Sequence, residues 1–237
     1  VAGIDGILAN DMDLPKDPLI PELVNGPSHG TGIVKPDGSF SYTPQLNFNG
    51  ADSFIYLARD DDGAASNAAM VTITVNPVND APRGEEQTVS TKEDQTVSAQ
   101  LTATDVDNKP EELRFSFGSV KPRSGGLEMA ADGRFWYYPG LNFNGQDTFG
   151  FVVTDPEGRA SREAMVTINV ESVNDAPVAG DDVASTNEDI ALTLPASTLL
   201  GNDTDVDLDK LSLTGVSNAV NGTVALNVDG NPVFTPA

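Results

Sequence analysis

Val78-Asn-Asp-Ala-Pro82 returns as Val173-Asn-Asp-Ala-Pro177, 95 residues further along a chain of 237. Two more phrases keep that interval: Leu46-Asn-Phe-Asn-Gly50 returns as Leu141-Asn-Phe-Asn-Gly145, and Thr91-Lys-Glu-Asp94 as Thr186-Asn-Glu-Asp189. Three independent matches at one offset define a tandem repeat, and a repeat governs how every local signal is read. A third copy aligns with the first through Asn10-Asp-Met-Asp13 and Asn202-Asp-Thr-Asp205, an offset of 192. In this register residues 1–77 form a copy lacking its first strand, 78–172 a complete copy, and 173–237 a copy truncated before its last strands. A sandwich without its last strands exposes sheet edges, so the third copy is expected to be poorly ordered alone. The opening Val1-Ala-Gly-Ile4 and the closing Thr235-Pro-Ala237 read as cuts within a longer protein.

Within each copy the apolar residues alternate with polar ones, as in Ser39-Phe-Ser-Tyr42, Ser53-Phe-Ile-Tyr56 and Met70-Val-Thr-Ile-Thr-Val75. That period of two belongs to half-buried strands. Turn dipeptides bound them: Asp37-Gly38, Asn49-Gly50, Asp132-Gly133, Asn144-Gly145, Asn221-Gly222 and Asp229-Gly230. No segment shows a capped helical period. The predicted fold is all-β, with tandem immunoglobulin-like sandwiches joined by short Asn-Asp-Ala-Pro linkers.

Acidic residues outnumber basic ones 36 to 13, a formal net charge of -23. Such a surface excludes nucleic acid and anionic membrane as partners, since phosphate contacts need basic side chains. No cysteine is present, which removes disulfides and thiolate metal sites, and no run of 18 apolar residues predicts membrane insertion. The carboxylates cluster by repeat position. Each boundary combines an Asn-Asp linker, a Glu-Asp pair and an Asp-x-Asp: Asn79, Asp80, Glu93, Asp94, Asp105 and Asp107 first, then Asn174, Asp175, Glu188, Asp189, Asp205 and Asp207. Acidic turns, Asp60-Asp-Asp-Gly63 and Asp155-Pro-Glu-Gly158, follow the long strand of the first two copies. Like charges a few ångströms apart repel by about 4 kcal/mol at an effective dielectric near 20. A calcium ion, which accepts six to eight oxygens, would neutralise them, whereas magnesium demands a strict octahedron. Asp203-Thr-Asp-Val-Asp207 opens like an EF-hand loop, but Leu208 stands at its sixth position and Thr214 at its twelfth.

Ala58-Arg-Asp60, the strand Ala69–Val75 and the linker Val78–Pro82 resemble the end of a cadherin repeat. Gly6-Ile-Leu-Ala-Asn-Asp11, Gly26-Pro-Ser-His-Gly30, Asp37-Gly-Ser-Phe-Ser-Tyr-Thr-Pro44 and Asn47-Phe-Asn-Gly50 are similar to the cadherin-like tandem repeats (VCBS-type and related) of large secreted bacterial adhesins. The resemblance implies calcium bound where successive repeats join. Carried over by position, one joint would use Asn79, Asp80, Asp105, Asp107 and Asp155, and the other Glu93, Asn174, Asp175, Asp205 and Asp207. The cadherin Leu-Asp-Arg-Glu motif is replaced by Asn-Phe-Asn-Gly, the linker lacks a leading Asp and a second Asn, and Pro15 stands in the first copy where the third has Asp207. Fewer than three ions per joint are therefore expected.

The function expected is a calcium-rigidified spacer of a secreted or cell-surface bacterial adhesin, with neighbouring repeats as partners and host or biofilm ligands met through other domains. The alternatives are a glycan- or protein-recognition module, or an accessory domain of a secreted polysaccharide-active enzyme. The chain itself is expected not to be an enzyme. A glycosidase needs a carboxylate pair in a cleft, and these carboxylates recur at joints. His29, the one histidine, lies in a Pro-Ser-His-Gly turn, and without cysteine no nucleophilic triad is available. Trp136, Tyr137 and Tyr138 suggest a carbohydrate platform, but Trp136 and Tyr138 share a strand face, for which core packing is the commoner use and the one expected; Phe48 and Phe143 are expected to plug the core at a bend. Lys121-Pro-Arg-Ser-Gly125 is a basic loop of the middle copy only.

Overall fold

Every second side chain of a strand points to one face, so the alternating segments become two-faced strands wherever the sequence predicted them. The computed structural model describes residues 6–14 and 17–237. The opening Val1-Ala-Gly-Ile4 and Pro15 lie outside the described residues. Two compact units divide the chain: one is Val1–Arg83, Ala103–Leu113 and Thr154–Ser161, the other Gly84–Thr102, Arg114–Val153 and Arg162–Ala237.

The first copy carries β1 (Ile20–Asn25), β2 (Gly30–Val34), β3 (Phe40–Pro44), β4 (Gly50–Arg59) and β5 (Ala69–Val75). Strands β1, β4 and β5 form one antiparallel sheet with β4 central, and β2 and β3 form a hairpin. Phe54, Tyr56 and Ile7 are buried together, with Val34, Phe40, Val71 and Ile73 packed against them. The Phe40 ring meets the Phe54 ring edge-on at 5.4 Å.

The middle copy carries β6 (Arg83–Gly84), β7 (Gln87–Lys92), β8 (Val97–Gln100), β9 (Ala103–Thr104), β10 (Arg114–Phe117), β11 (Gly125–Met129), β12 (Arg134–Pro139), β13 (Gly145–Thr154) and β14 (Ala164–Glu171). Its sandwich has one sheet in the order β10-β13-β14-β7 and another in the order β11-β12-β8. Phe135, Tyr137, Phe149, Phe151, Val166 and Ile168 are wholly buried, and the Phe135 and Phe149 rings meet edge-on at 5.0 Å. Strand β7 runs parallel to β14, from Val166 opposite Gln87 to Glu171 opposite Lys92. That pairing brings the residue after β7, Glu93, to the end of β14 and the start of the second linker. There the Glu93 N–H donates to the Glu171 carbonyl at 2.9 Å.

The aromatic run on β12 faces the opposite way from the sequence expectation. Phe135 and Tyr137 point into the core, whereas Trp136 is half-buried and Tyr138 is exposed. Four consecutive aromatics make both strand faces equally apolar, so alternation alone cannot choose between them. Phe48 and Phe143 are half-buried rather than core plugs, and the Phe48 ring stacks on His29 at 4.4 Å.

The third copy carries β15 (Leu192–Thr193), β16 (Gly222–Leu226) and β17 (Pro232–Pro236), ordered β15-β17-β16. It also has one helical turn, α1 (Ala196–Leu199), which the sequence reading did not anticipate. Pro195 precedes the turn, and the Leu200 N–H closes it on the Ala196 carbonyl at 3.0 Å, so a single turn forms without any apolar periodicity. Among residues 173–237 only Pro232 is buried.

One glycine in each copy is fixed by close approach. A β-carbon at Gly125 would lie 2.5 Å from the Tyr137 ring, and at Gly30 2.5 Å from the Tyr42 ring; at Gly222 it would lie 2.7 Å from the Phe234 ring. These positions are equivalent in the three copies, and each ring stands two residues before the glycine's hairpin partner, Pro139, Pro44 or Pro236.

Candidate metal centres at the two linkers

Both linkers hold their acidic partners through backbone N–H groups, and they do so alike. The Asp80 N–H donates to Asp107 Oδ2 at 2.7 Å, and the Asp175 N–H donates to Asp207 Oδ2 at 2.7 Å. The Asp-x-Asp turns close on themselves. Asp105 Oδ1 accepts the N–H groups of Asp107 at 2.7 Å and Asn108 at 3.0 Å. Asp205 Oδ1 accepts those of Asp207 at 2.9 Å and Asp209 at 3.3 Å. A short polar side chain that captures the backbone two to four residues on makes a self-contained turn.

At the first linker Asn79 Nδ2 donates to Asp155 Oδ2 at 2.7 Å, and the Arg159 guanidinium donates to the Asn79 carbonyl. Asn108 Nδ2 approaches Glu157 Oε2 at 3.4 Å. Burial would raise the Asp155 carboxyl, but hydrogen bonds from Asn79 and from the N–H groups of Arg159, Gly158 and Glu157 outweigh it and hold Asp155 below the usual carboxylate range. Because each asparagine turns its NH₂ toward a carboxylate, its carbonyl oxygen must point elsewhere. Asn79 Oδ1 and Asn108 Oδ1 are in consequence buried without any hydrogen-bond donor, and Asp105 Oδ2, whose partner oxygen closes the turn, is likewise buried without one. Buried acceptors without a partner are rare in folded proteins and call for a reason.

At the second linker Glu93 is buried, and its Oε1 accepts the Val173 N–H. Asn174 differs from Asn79, since its Nδ2 donates to the Asp175 carbonyl at 2.8 Å rather than to a carboxylate. Asp175 Oδ2 is buried and unpaired. Its carboxyl is raised, first by burial and then by the charges of Asp207, Glu93, Asp94 and Asp205. A carboxylate pushed up by four neighbours of its own sign lies in an uncompensated acidic cluster. Among the described residues, however, no three Asp, Glu, His or Cys side chains converge as a ready-made metal site. The unpaired oxygens are mostly amide and single carboxylate oxygens, a donor set of the hard, mixed kind that calcium takes.

Sequence reasoning missed Asn108 and Arg159 at the first linker, and named Glu157 only as part of the acidic turn after the long strand. It also missed a pair of buried acids away from both linkers. Asp147 accepts the N–H groups of Arg123, Ser124 and Thr148 and the Tyr137 hydroxyl, each at 2.9 Å. Asp52 accepts the N–H groups of Ser28, His29 and Ser53 and the Tyr42 hydroxyl at 2.9–3.0 Å. In both cases burial raises the carboxyl, and the hydrogen bonds bring it below its ordinary value. The signal was present, because Asp52 and Asp147 are 95 residues apart, as are Tyr42 and Tyr137.

Comparison with known families matches a bacterial cadherin-like domain to residues 1–77 and again to 79–172, and a cadherin-like domain to 173–237. The chain belongs to the bacterial cadherin-like family. Its tandem sandwich architecture suits a structural, adhesive or accessory role, and the family is that of extracellular, secreted or surface-associated bacterial proteins. Among curated proteins, an integrin beta-like protein B of Dictyostelium discoideum is 25% identical over 160 residues, covering 59% of this chain and 8% of its own length. Among solved structures, Drosophila N-cadherin EC1-3 matches 98% of this chain and 81% of its own, at 14% identity and a TM-score of 0.31. An endo-fucoidan hydrolase of glycoside hydrolase family 107 matches 91% of this chain and 34% of its own, at 17% identity and a TM-score of 0.34. The chain thus spans only a small part of the curated relative and about a third of the hydrolase.

The hydrolase match corrects one expectation, that the chain is not an enzyme. The absence of triads and the placing of carboxylates at joints concern the residues of this segment alone. Among the described residues no helix is long and apolar enough to cross a membrane.

Proposed function

We propose that this segment is a calcium-stiffened accessory module of a larger secreted bacterial protein, holding a functional part of that protein at a distance. The observation that carries this reading is the set of buried, donorless oxygens at the linkers: Asn79 Oδ1, Asp105 Oδ2 and Asn108 Oδ1 at one, Asp175 Oδ2 at the other. A bound calcium ion would supply a positive charge to those oxygens. Asn79, Asp80, Asp105, Asn108 and Asp155 would hold it at the first linker, and Glu93, Asp175, Asp205 and Asp207 at the second. Without the ion the carboxylates repel and the Asn-Asp-Ala-Pro segment swings; with it the linker locks. Extracellular modules bind calcium at about 10⁻⁴–10⁻³ M, so these linkers would fill after export and stay empty in the cytoplasm.

An accessory module serves two kinds of parent, an adhesin in which repeats act as a stalk and a polysaccharide-active enzyme in which they flank a catalytic domain. The endo-fucoidan hydrolases among the similar structures bring in the second parent. The reading frame on either side separates the two, by further repeats in the first case and a catalytic domain in the second. Calcium itself is tested by thermal melting of the chain. Millimolar calcium should raise Tm above the value in EDTA and magnesium should not, and Asp205→Ala with Asp207→Ala should abolish the part of the rise due to the second linker. Equal melting in calcium and EDTA would overturn the proposal.

A further inference from the structure

Strand β12 presents the same outward positions as its counterparts in the other two copies, and only the middle copy fills them with aromatics. Trp136 and Tyr138 correspond to Ser41 and Thr43 on β3 and to Val233 and Thr235 on β17. All three strands pair in hairpins of the same register: Trp136 opposite Glu128, Ser41 opposite Ile33, and Val233 opposite Ala225. The hairpin is thus built twice in this chain without an aromatic on that face, and the fold does not require one. Tyr138 is 38% exposed, and no ring of the described residues stacks on it or on Trp136. Its cross-strand neighbour is Gly126, where a β-carbon would touch the Tyr138 ring at 3.7 Å; glycine leaves that side of the ring uncovered. Polar groups edge the rings. Glu128 Oε2 accepts the Tyr138 hydroxyl at 3.3 Å, Ser98 lies opposite Trp136 on β8, and Arg134 is paired with Asp132 at 2.9 Å.

We infer that the outer face of the β8-β12-β11 sheet binds a neutral polysaccharide, with Trp136 and Tyr138 as its platform. Two rings at i and i+2 of one strand lie about 7 Å apart in a row. A row of flat apolar surfaces with hydroxyl, carboxylate and serine groups beside it matches a linear chain of sugar rings, whose C–H faces are apolar and whose edges carry hydroxyls. A protein partner would need about 800 Å² of contact on each side, far more than two rings provide. The net charge of -23 opposes a sulfated or uronic chain, and the one cation in the row, Arg134, is already neutralised by Asp132. This site is independent of the linkers and does not rest on calcium.

Trp136 is the sole tryptophan of the chain, so its fluorescence reports the site directly. The test is titration of the chain with soluble neutral polysaccharides (a mixed-linkage β-glucan, a xylan backbone and a galactomannan), with alginate as the polyanion. Affinity electrophoresis in the same polymers reads binding separately. The expected result is a saturable change of Trp136 emission and retardation with at least one neutral polymer, unaltered by EDTA, and neither with alginate. Trp136→Ser with Tyr138→Thr, which installs the first copy's residues, should lower the affinity at least tenfold while leaving Tm within a few degrees. Should that variant unfold, Tyr138→Thr alone is read by the Trp136 signal. No response to any of the neutral polymers, a response to alginate alone, or retardation that survives the paired substitution would overturn the inference.

Discussion

Asp147 is buried between the hairpin of β11 and β12 and the start of β13, and four donors converge on it. Its carboxyl titrates below the unfolded value, so the fold favours the charged form. The resulting stability is complete above the unfolded pKa, about 3.9, and is lost as pH falls through the lower folded value. Asp52 in the first copy carries the same sign. Asp147→Asn should therefore cost about 2 kcal/mol at pH 7 in urea unfolding followed by Trp136 fluorescence, and should flatten the loss of stability below pH 4. Tyr137→Phe removes one of the four bonds and should cost about 1 kcal/mol. Gly125→Ala is the steric counterpart. Its β-carbon would lie 2.5 Å from both the Tyr137 ring and the Tyr138 carbonyl oxygen, so an overpacking loss of about 1–3 kcal/mol is expected.

The linker is the element on which the proposed calcium role turns, and its titration would distinguish a filled from an empty site. In the absence of calcium the folded chain holds a proton on Asp175 more tightly than the unfolded chain does. Its repulsion from Asp207, Glu93, Asp94 and Asp205 therefore weakens the linker above the folded pKa and is relieved as pH falls through it. Bound calcium would reverse the sign. The Asp175 carboxyl resonance, followed by NMR, should titrate above the ordinary carboxylate range in EDTA and below it in saturating calcium; one midpoint in both would show that no ion reaches Asp175. Much of this element was legible beforehand, because Asn79, Asp80, Asp105, Asp107 and Asp155 recur at repeat positions and the structure gathers them in one unit. Asn108 was not legible, since its part depends on a side-chain bond to Glu157 across 49 residues, which no spacing announces. The β12 face was not legible either. Phe135-Trp-Tyr-Tyr138 is apolar on both strand faces, and only comparison with Tyr42 in the first copy marks Tyr137 as the inward residue.

For the whole molecule the governing quantity is charge, -23 over 237 residues. Self-repulsion of that size opposes any compact state and is screened by salt over about 10 Å at 0.1 M. In EDTA, raising sodium chloride from about 0.05 to about 0.5 M should therefore raise Tm gradually, with no saturation in the low millimolar range. Calcium acts differently if the linkers bind it: its effect should saturate at about 10⁻⁴–10⁻³ M and persist in high salt, where diffuse screening is already complete. Small-angle scattering of the chain adds the mechanical consequence. Salt alone should contract a mutually repelling chain, whereas calcium at constant ionic strength should extend it and narrow its distribution of maximum dimensions, because a locked linker can no longer fold back. A maximum dimension equal in calcium and in EDTA at 0.5 M salt would leave diffuse charge as the reason for the acidity, and the spacer reading would fall.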